Sequence, residues 1–238
     1  MSNKFKDIQE NIRKEIQINN PIVDGIINCK KYEKANTKIL WVLKEPYSDK
    51  NDWTYQSYLS IKDIESKITL QNENTLNYEV FRRILYVSYG LINKIEYSKI
   101  PYAEEKEVYS IGEEIAYINI KKIPGKSKSN DKEIKDAYMA NEELLLKQIH
   151  EYEPDVLIFG NTLKYFDLEK LKRIGWDFSY ENRKVLDKET NNTHFYITDN
   201  DRLCINAYHP SYWSVKRDIY CSEIIEAGLK WREIINNK

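Results

Sequence analysis

Five short stretches of the chain are apolar from end to end or nearly so: ILWVL at 39–43, IAYINI at 115–120, VLIF at 156–159, FYIT at 195–198 and LCINA at 203–207. Unbroken runs of this length mark strands covered on both faces, because a half-exposed strand would alternate with polar residues. Between them, apolar residues recur every three or four positions, the spacing of helices with one buried face. This spacing predicts helices over 4–18, 76–91, 131–152, 162–174 and 214–235. Asn130 or Asp131 is available to cap the third of these, and Pro154 stops it. The segment 94–114 is polar and irregular, and Pro124-Gly125 followed by KSKSND reads as turn and loop.

Short buried strands interleaved with helices of ~10–20 residues predict an α/β fold: a three-layer αβα domain around a mainly parallel sheet. No repeat or Ser/Gly linker divides the chain, so residues 1–238 are expected to form one domain, led by helix 4–18. In such sheets the ligand sits beyond the carboxyl ends of the strands. That rule selects the residues after Leu43, Ile118 and Ala207.

Composition narrows the classes. Charged residues make 32%, hydrophobic ones 41%, and the net charge is −1. These values exclude a disordered polyelectrolyte and a protein that coats nucleic acid by bulk charge, but leave room for a local basic groove. No run approaches the ~20 apolar residues of a membrane span, and the charged first twenty residues do not resemble a signal peptide, so a cytoplasmic location and no membrane partner are expected. Cys29, Cys204 and Cys221 are widely spaced and form no C-x-x-C pair. Neither a disulfide framework nor a four-cysteine metal site is expected.

The three strand ends carry Lys44-Glu45-Pro46-Tyr47, Asn119 with Lys121 and Lys122, and His209-Pro210-Ser211. A carboxylate, an amide and an imidazole on one rim form a set suited to breaking a glycosidic bond. The carboxylate can orient water and stabilise an oxocarbenium-like sugar, and an amide offers a donor and an acceptor to the edge of a base.

In this order the residues resemble the uracil-DNA glycosylase superfamily over roughly 38–235. Leu43-Lys44-Glu45-Pro46-Tyr47 lines up with its Gly-Gln-Asp-Pro-Tyr motif, Asn119 with its base-reading Asn, and His209-Pro210-Ser211-Tyr212-Trp213-Ser214 with its His-Pro-Ser-Pro-Leu-Ser. The segment from Ile118 through the Pro-Gly loop to Gly160 is similar to the iron–sulfur branch, whose four cysteines are absent here, so no iron–sulfur cluster and no other cofactor or metal is expected. Glu45 stands where the family has Asp, and Leu43-Lys44 where it has Gly-Gln.

The resemblance implies a monofunctional DNA glycosylase, a monomer, that hydrolyses the N-glycosidic bond of a flipped-out pyrimidine. The base is uracil or a 5-modified cytosine, including glucosylated hydroxymethylcytosine, and the setting is repair or anti-phage defence. Glu45 and His209 would be catalytic, His209 donating a hydrogen bond to the departing base. Asn119, Tyr47, Tyr58 and Trp53 would bind the base. Trp213, at the place of the family's intercalating Leu, would fill the gap in the duplex. Ser211, Lys121, Lys122, Lys216 and Arg217 would meet the DNA backbone. A catalytically silent DNA-binding module on the same fold stays open, as does a nucleoside- or nucleotide-handling α/β enzyme, although no phosphate-cradling glycine motif is present.

Overall fold

A computed structural model describes residues 4–16, 18, 21–48, 54–125, apart from 70–77, then 129–184 and 193–237. Helix α1 (Lys4–Glu15) buries Phe5, Gln9 and Ile12, one stripe of an otherwise charged helix. It ends three residues before position 18; Ile16 N–H reaches only the Arg13 carbonyl, at 3.4 Å, and Pro21 lies just ahead. A two-residue strand, β1 (Gly25–Ile26), precedes α2 (Cys29–Lys34), which Asn28 caps by accepting from the Lys31 N–H.

Strand β2 (Ile39–Leu43) has all five residues buried. Four helices follow: α3 (Tyr55–Tyr58), α4 (Ile61–Thr69), α5 (Glu79–Asn93) and α6 (Lys106–Tyr109). Strand β3 (Ala116–Asn119) is followed by the 21-residue α7 (Asp131–Glu151), capped by Asn130. Strand β4 (Val156–Gly160), α8 (Leu168–Arg173), β5 (Arg183–Lys184), β6 (Thr193–Ile197), β7 (Leu203–Ala207) and α9 (Arg217–Asn236) complete the order.

The seven strands form one sheet in the order β1-β3-β2-β4-β7-β6-β5. The four central strands, β3, β2, β4 and β7, run parallel, and the pairings outside them are antiparallel. Side-chain alternation sends Ile39, Trp41 and Leu43 into a core shared with α3 to α6 and α9, and Leu40 and Val42 into a second core shared with α1, α2, α7 and α8. Burying each of these aliphatic side chains contributes roughly 1.5–3 kcal/mol, so β2 is fastened from both faces. The indole N–H of Trp41 finds the Ser88 hydroxyl at 3.1 Å, so its polar atom does not offset that gain.

Three expectations need correction. The helix expected over 162–174 is a short 3₁₀ turn at Leu163–Tyr165 followed by α8, because Phe166 is extended and Asp167 caps a new helix through the N–H groups of Glu169 and Lys170. The helix expected from 214 begins at Arg217. The segment 94–114, expected to be polar and irregular, holds short helical turns and buries Ala103, Val108, Tyr109 and Ile111 in the first core.

Candidate functional site

The carboxyl ends of the four parallel strands lie side by side. Leu43 pairs with Asn119, and the two chains stay adjacent beyond the strands: Ile120 N–H donates to Leu43 O at 2.9 Å, Lys121 N–H to Lys44 O at 2.9 Å, and Gly125 N–H to Pro46 O at 2.8 Å. On the other side of β2, Gly160 ends β4. A Cβ there would stand 2.3 Å from Leu43 Cδ2 and 3.1 Å from Pro210 Cδ, so the bare glycine lets the β2 tip and the His209-Pro210 turn close over β4. Next along the chain, the Thr162 hydroxyl donates to Val42 O at 2.8 Å and ties the β4 exit to β2.

Glu45 is held at this rim. Its side chain is 6% exposed, its Oε2 is 3.1 Å from Lys121 Nζ, and Lys121 also meets Glu133 at 3.1 Å. Burial disfavours the Lys121 charge, but its two carboxylate partners more than offset that and raise its pKa. Gly125 packs flat on the carboxylate: a Cβ at that position would fall 2.1 Å from Glu45 Cδ. The acid is therefore clamped between an ammonium and a backbone surface.

Asn119 is 1% exposed. Its backbone N–H donates to Asp24 Oδ2 at 2.7 Å, whereas neither atom of its side-chain amide makes a hydrogen bond of good geometry, and the Tyr55 hydroxyl is the protein group that interacts with it. A buried amide so poorly satisfied costs about 1–3 kcal/mol, so its retention fits a group kept ready for a ligand. Tyr117, two residues earlier on the same face of β3, packs against Tyr55 at 4.4 Å between ring centroids.

His209 lies at the β7 tip with Ser211 N–H donating to its Nδ1 at 3.2 Å and the Ser211 hydroxyl 2.7 Å from the same nitrogen. Burial, with the positive charge of Lys44, pushes its pKa down to about 4. The ring is neutral at pH 7, and a neutral ring that accepts at Nδ1 carries its proton on Nε2. That leaves one N–H to offer. Lys44 is itself lowered by burial, opposed by Asp131 at 4.0 Å.

The remaining expected contacts divide. Trp213 is 87% exposed, and Tyr212 beside it stacks on Tyr208 at 4.5 Å. Arg83 braces this loop from within, donating to Tyr212 O at 3.1 Å and Val215 O at 2.7 Å. Lys216 is exposed, whereas Arg217 is spent on Glu79, 2.6 Å away. Tyr47 is 66% exposed beside Gly125, and Tyr58 packs on Phe81 at 5.3 Å. Trp53 lies outside the described residues. Lys122 needs correction: its ammonium is fully buried against Asp24, 2.8 Å away, and Gln148, and cannot meet a phosphate. Lys121, tied to two carboxylates, is likewise committed within the protein.

Sequence reasoning missed Asp24, Arg83 and the packing of Gly125 and Gly160. Asp24-Gly25 and Pro124-Gly125 carried local signals, and both read as turns. A groove along α7 takes in Lys121, Glu133, Met139 and Lys147, but Asn119 and His209 do not line it. Among the described residues no group of three or more His, Cys, Asp or Glu is placed to hold a metal ion, and no helix is long and apolar enough to cross a membrane. The class defined so far is a mixed α/β protein whose polar residues gather at parallel strand ends. Comparison of the chain with family models, curated proteins and solved structures finds no match in any of the three.

Proposed function

We propose that the protein is a DNA glycosylase that hydrolyses the N-glycosidic bond of an extruded pyrimidine. The observation that carries this reading is the buried amide of Asn119, without a well-formed hydrogen bond and beside the Tyr55 hydroxyl, on a rim shared with a neutral imidazole and a clamped carboxylate. In the reaction the bond from C1′ to the base breaks with its electron pair going to the base. The Nε2–H of His209 donates to the carbonyl oxygen on which that charge gathers, while Glu45 orients the water and takes its proton as oxygen bonds to C1′. Asn119 pairs with the edge of the base, and Trp213 stacks in the gap left behind.

The test is incubation with oligonucleotides carrying uracil, 5-hydroxymethyluracil or glucosylated hydroxymethylcytosine, followed by alkali. Strand cleavage that depends on Glu45 and His209 is expected, and Asn119→Ala should alter base choice. A wild-type protein that makes no abasic site, or a Glu45→Ala variant with full activity, would sink the proposal.

One observation favours a second reading. Lys121, Lys122 and Arg217 are each neutralised by a carboxylate within the protein, which leaves few cations at the rim for a phosphate backbone. A hydrolase acting on free nucleosides needs none, and release of base from deoxyuridine but not from an oligonucleotide would select it.

A further inference from the structure

We infer that Asp24 is a positioning residue for Asn119, acting through a buried charged network with Lys122 and Gln148; the inference rests on the base-reading role proposed for Asn119. Asp24 is 1% exposed and receives both the Asn119 backbone N–H, at 2.7 Å on Oδ2, and the Lys122 ammonium, at 2.9 and 2.8 Å on its two oxygens. Gln148 bridges the pair: its Oε1 accepts from Lys122 at 2.9 Å and its Nε2 donates to Asp24 at 3.2 Å. The same amide reaches the Tyr152 hydroxyl at 3.3 Å, which donates to Gln9 Oε1 at 2.6 Å, and Gln9 Nε2 closes the circuit on the Asp24 carbonyl at 2.8 Å.

A buried ion pair of this kind is rarely the most stable filling for a core, since apolar residues of similar volume often do as well or better. What this one does that apolar residues would not is fix a backbone amide at the end of β3. Asn119 is the last residue of that strand, and its own N–H is taken by the Asp24 carboxylate rather than by a backbone carbonyl, while the backbone pairing resumes beyond it at Ile120 to Leu43 and Ile22 to Lys122. The side-chain amide of the same residue makes no well-formed hydrogen bond, with the Tyr55 hydroxyl beside it, so the backbone anchor sets much of its direction. Asp24 thereby sets the direction from which Asn119 meets a base, from a position 95 residues away in sequence.

The test uses the full chain, labelled with ¹⁵N, in two double variants. Asp24→Leu/Lys122→Met removes the acceptor and the charge together, and Asp24→Asn/Lys122→Gln keeps an acceptor without charge. Hydrogen exchange at the Asn119 backbone amide and the shift of its side-chain amide on adding uracil are read on the protein alone; kcat and the Kd for DNA are read separately. In the Leu/Met pair, faster exchange, a lost uracil shift and a kcat lower by about 100-fold are expected, with Kd within about threefold, as follows from misplacing a reacting group by about 1 Å. The Asn/Gln pair should recover most of that loss. Unchanged exchange or an unchanged uracil shift in the Leu/Met pair overturns the inference, as does absence of any uracil shift in the wild type. A wild type that shifts with uracil but excises nothing fails the glycosylase reading alone. If the Leu/Met pair does not fold, Asp24→Ala/Lys122→Met, which also removes the acceptor, decides, and exchange at Asn119 as slow as in the wild type overturns the inference.

Discussion

The neutral state of His209 makes a quantitative claim about acid stability. Burial, first, and the charge of Lys44, second, lower its pKa from the ordinary 6.5 to about 4. The unfolded chain therefore binds a proton between these values that the folded chain refuses, and stability must fall as pH falls through that window. For such a group the loss is at most roughly 2 kcal/mol by pH 5 and roughly 3 kcal/mol by pH 4, with none above pH 7.5. The measurement is urea unfolding of wild type and His209→Gln across pH 4–7.5. Subtracting the variant cancels the carboxylates that titrate in both proteins. The stability of the wild type relative to the variant should decline toward pH 4 by the amounts stated. Because the ring is already neutral at pH 6, kcat should show no rise as pH drops through 6.5, which an imidazolium donor would produce. A flat stability difference, or an NMR titration placing His209 near 6.5, would refute the reasoning about its environment and with it the assignment of an Nε2–H donor.

Three further outcomes follow from contacts already described. Gly125→Ala drives a methyl into the Glu45 carboxylate and should lower excision more than tenfold at a stability cost of about 1–3 kcal/mol, read by single-turnover kinetics and thermal unfolding. Asn119→Leu replaces a poorly satisfied amide with an apolar group of similar size and should raise stability by about 1–3 kcal/mol while abolishing excision; a destabilised variant would mean the amide is already well bonded. Trp213→Ala, at an 87% exposed position, should leave stability within about 0.5 kcal/mol and weaken binding to an abasic or mismatched duplex by about 1–3 kcal/mol in an anisotropy titration.

What could be read from sequence depended on how locally each feature is determined. Strands β2, β4 and β7 announce themselves because burial on both faces needs continuous apolar runs. Strands β1 and β5, two residues each, have no pattern of their own; their partners make them strands. The adjacent lysines after β3 show the same limit at the site. Lys121 and Lys122 are indistinguishable in local chemistry, but alternation along an extended chain sends the first toward Glu45 and the second to the side of Ile118 and Ile120, into the core beneath α7. The distant Asp24, with Gln148, makes that burial tolerable. Glu45, Asn119 and His209 were legible as strand-end residues, whereas the glycines that let their loops close have meaning only once the neighbouring strands are known.

The strand order also bears on how the molecule comes into being. Strand β2 pairs in parallel with β3 and β4, each reached only through a long crossover, Asp24 meets Asn119 across 95 residues, and the Thr162 tie to Val42 spans 120. Contacts of such long reach must be closed before they repay the lost chain entropy, which places folding on a timescale of about milliseconds to seconds rather than microseconds. No fragment of the chain holds the rim. Its residues come from positions 24, 45, 119 and 209, so it exists only when the central sheet is complete through β7. A chain cut between β3 and β4 should therefore show no partial activity, and recovery of function during refolding should track the final assembly of the sheet.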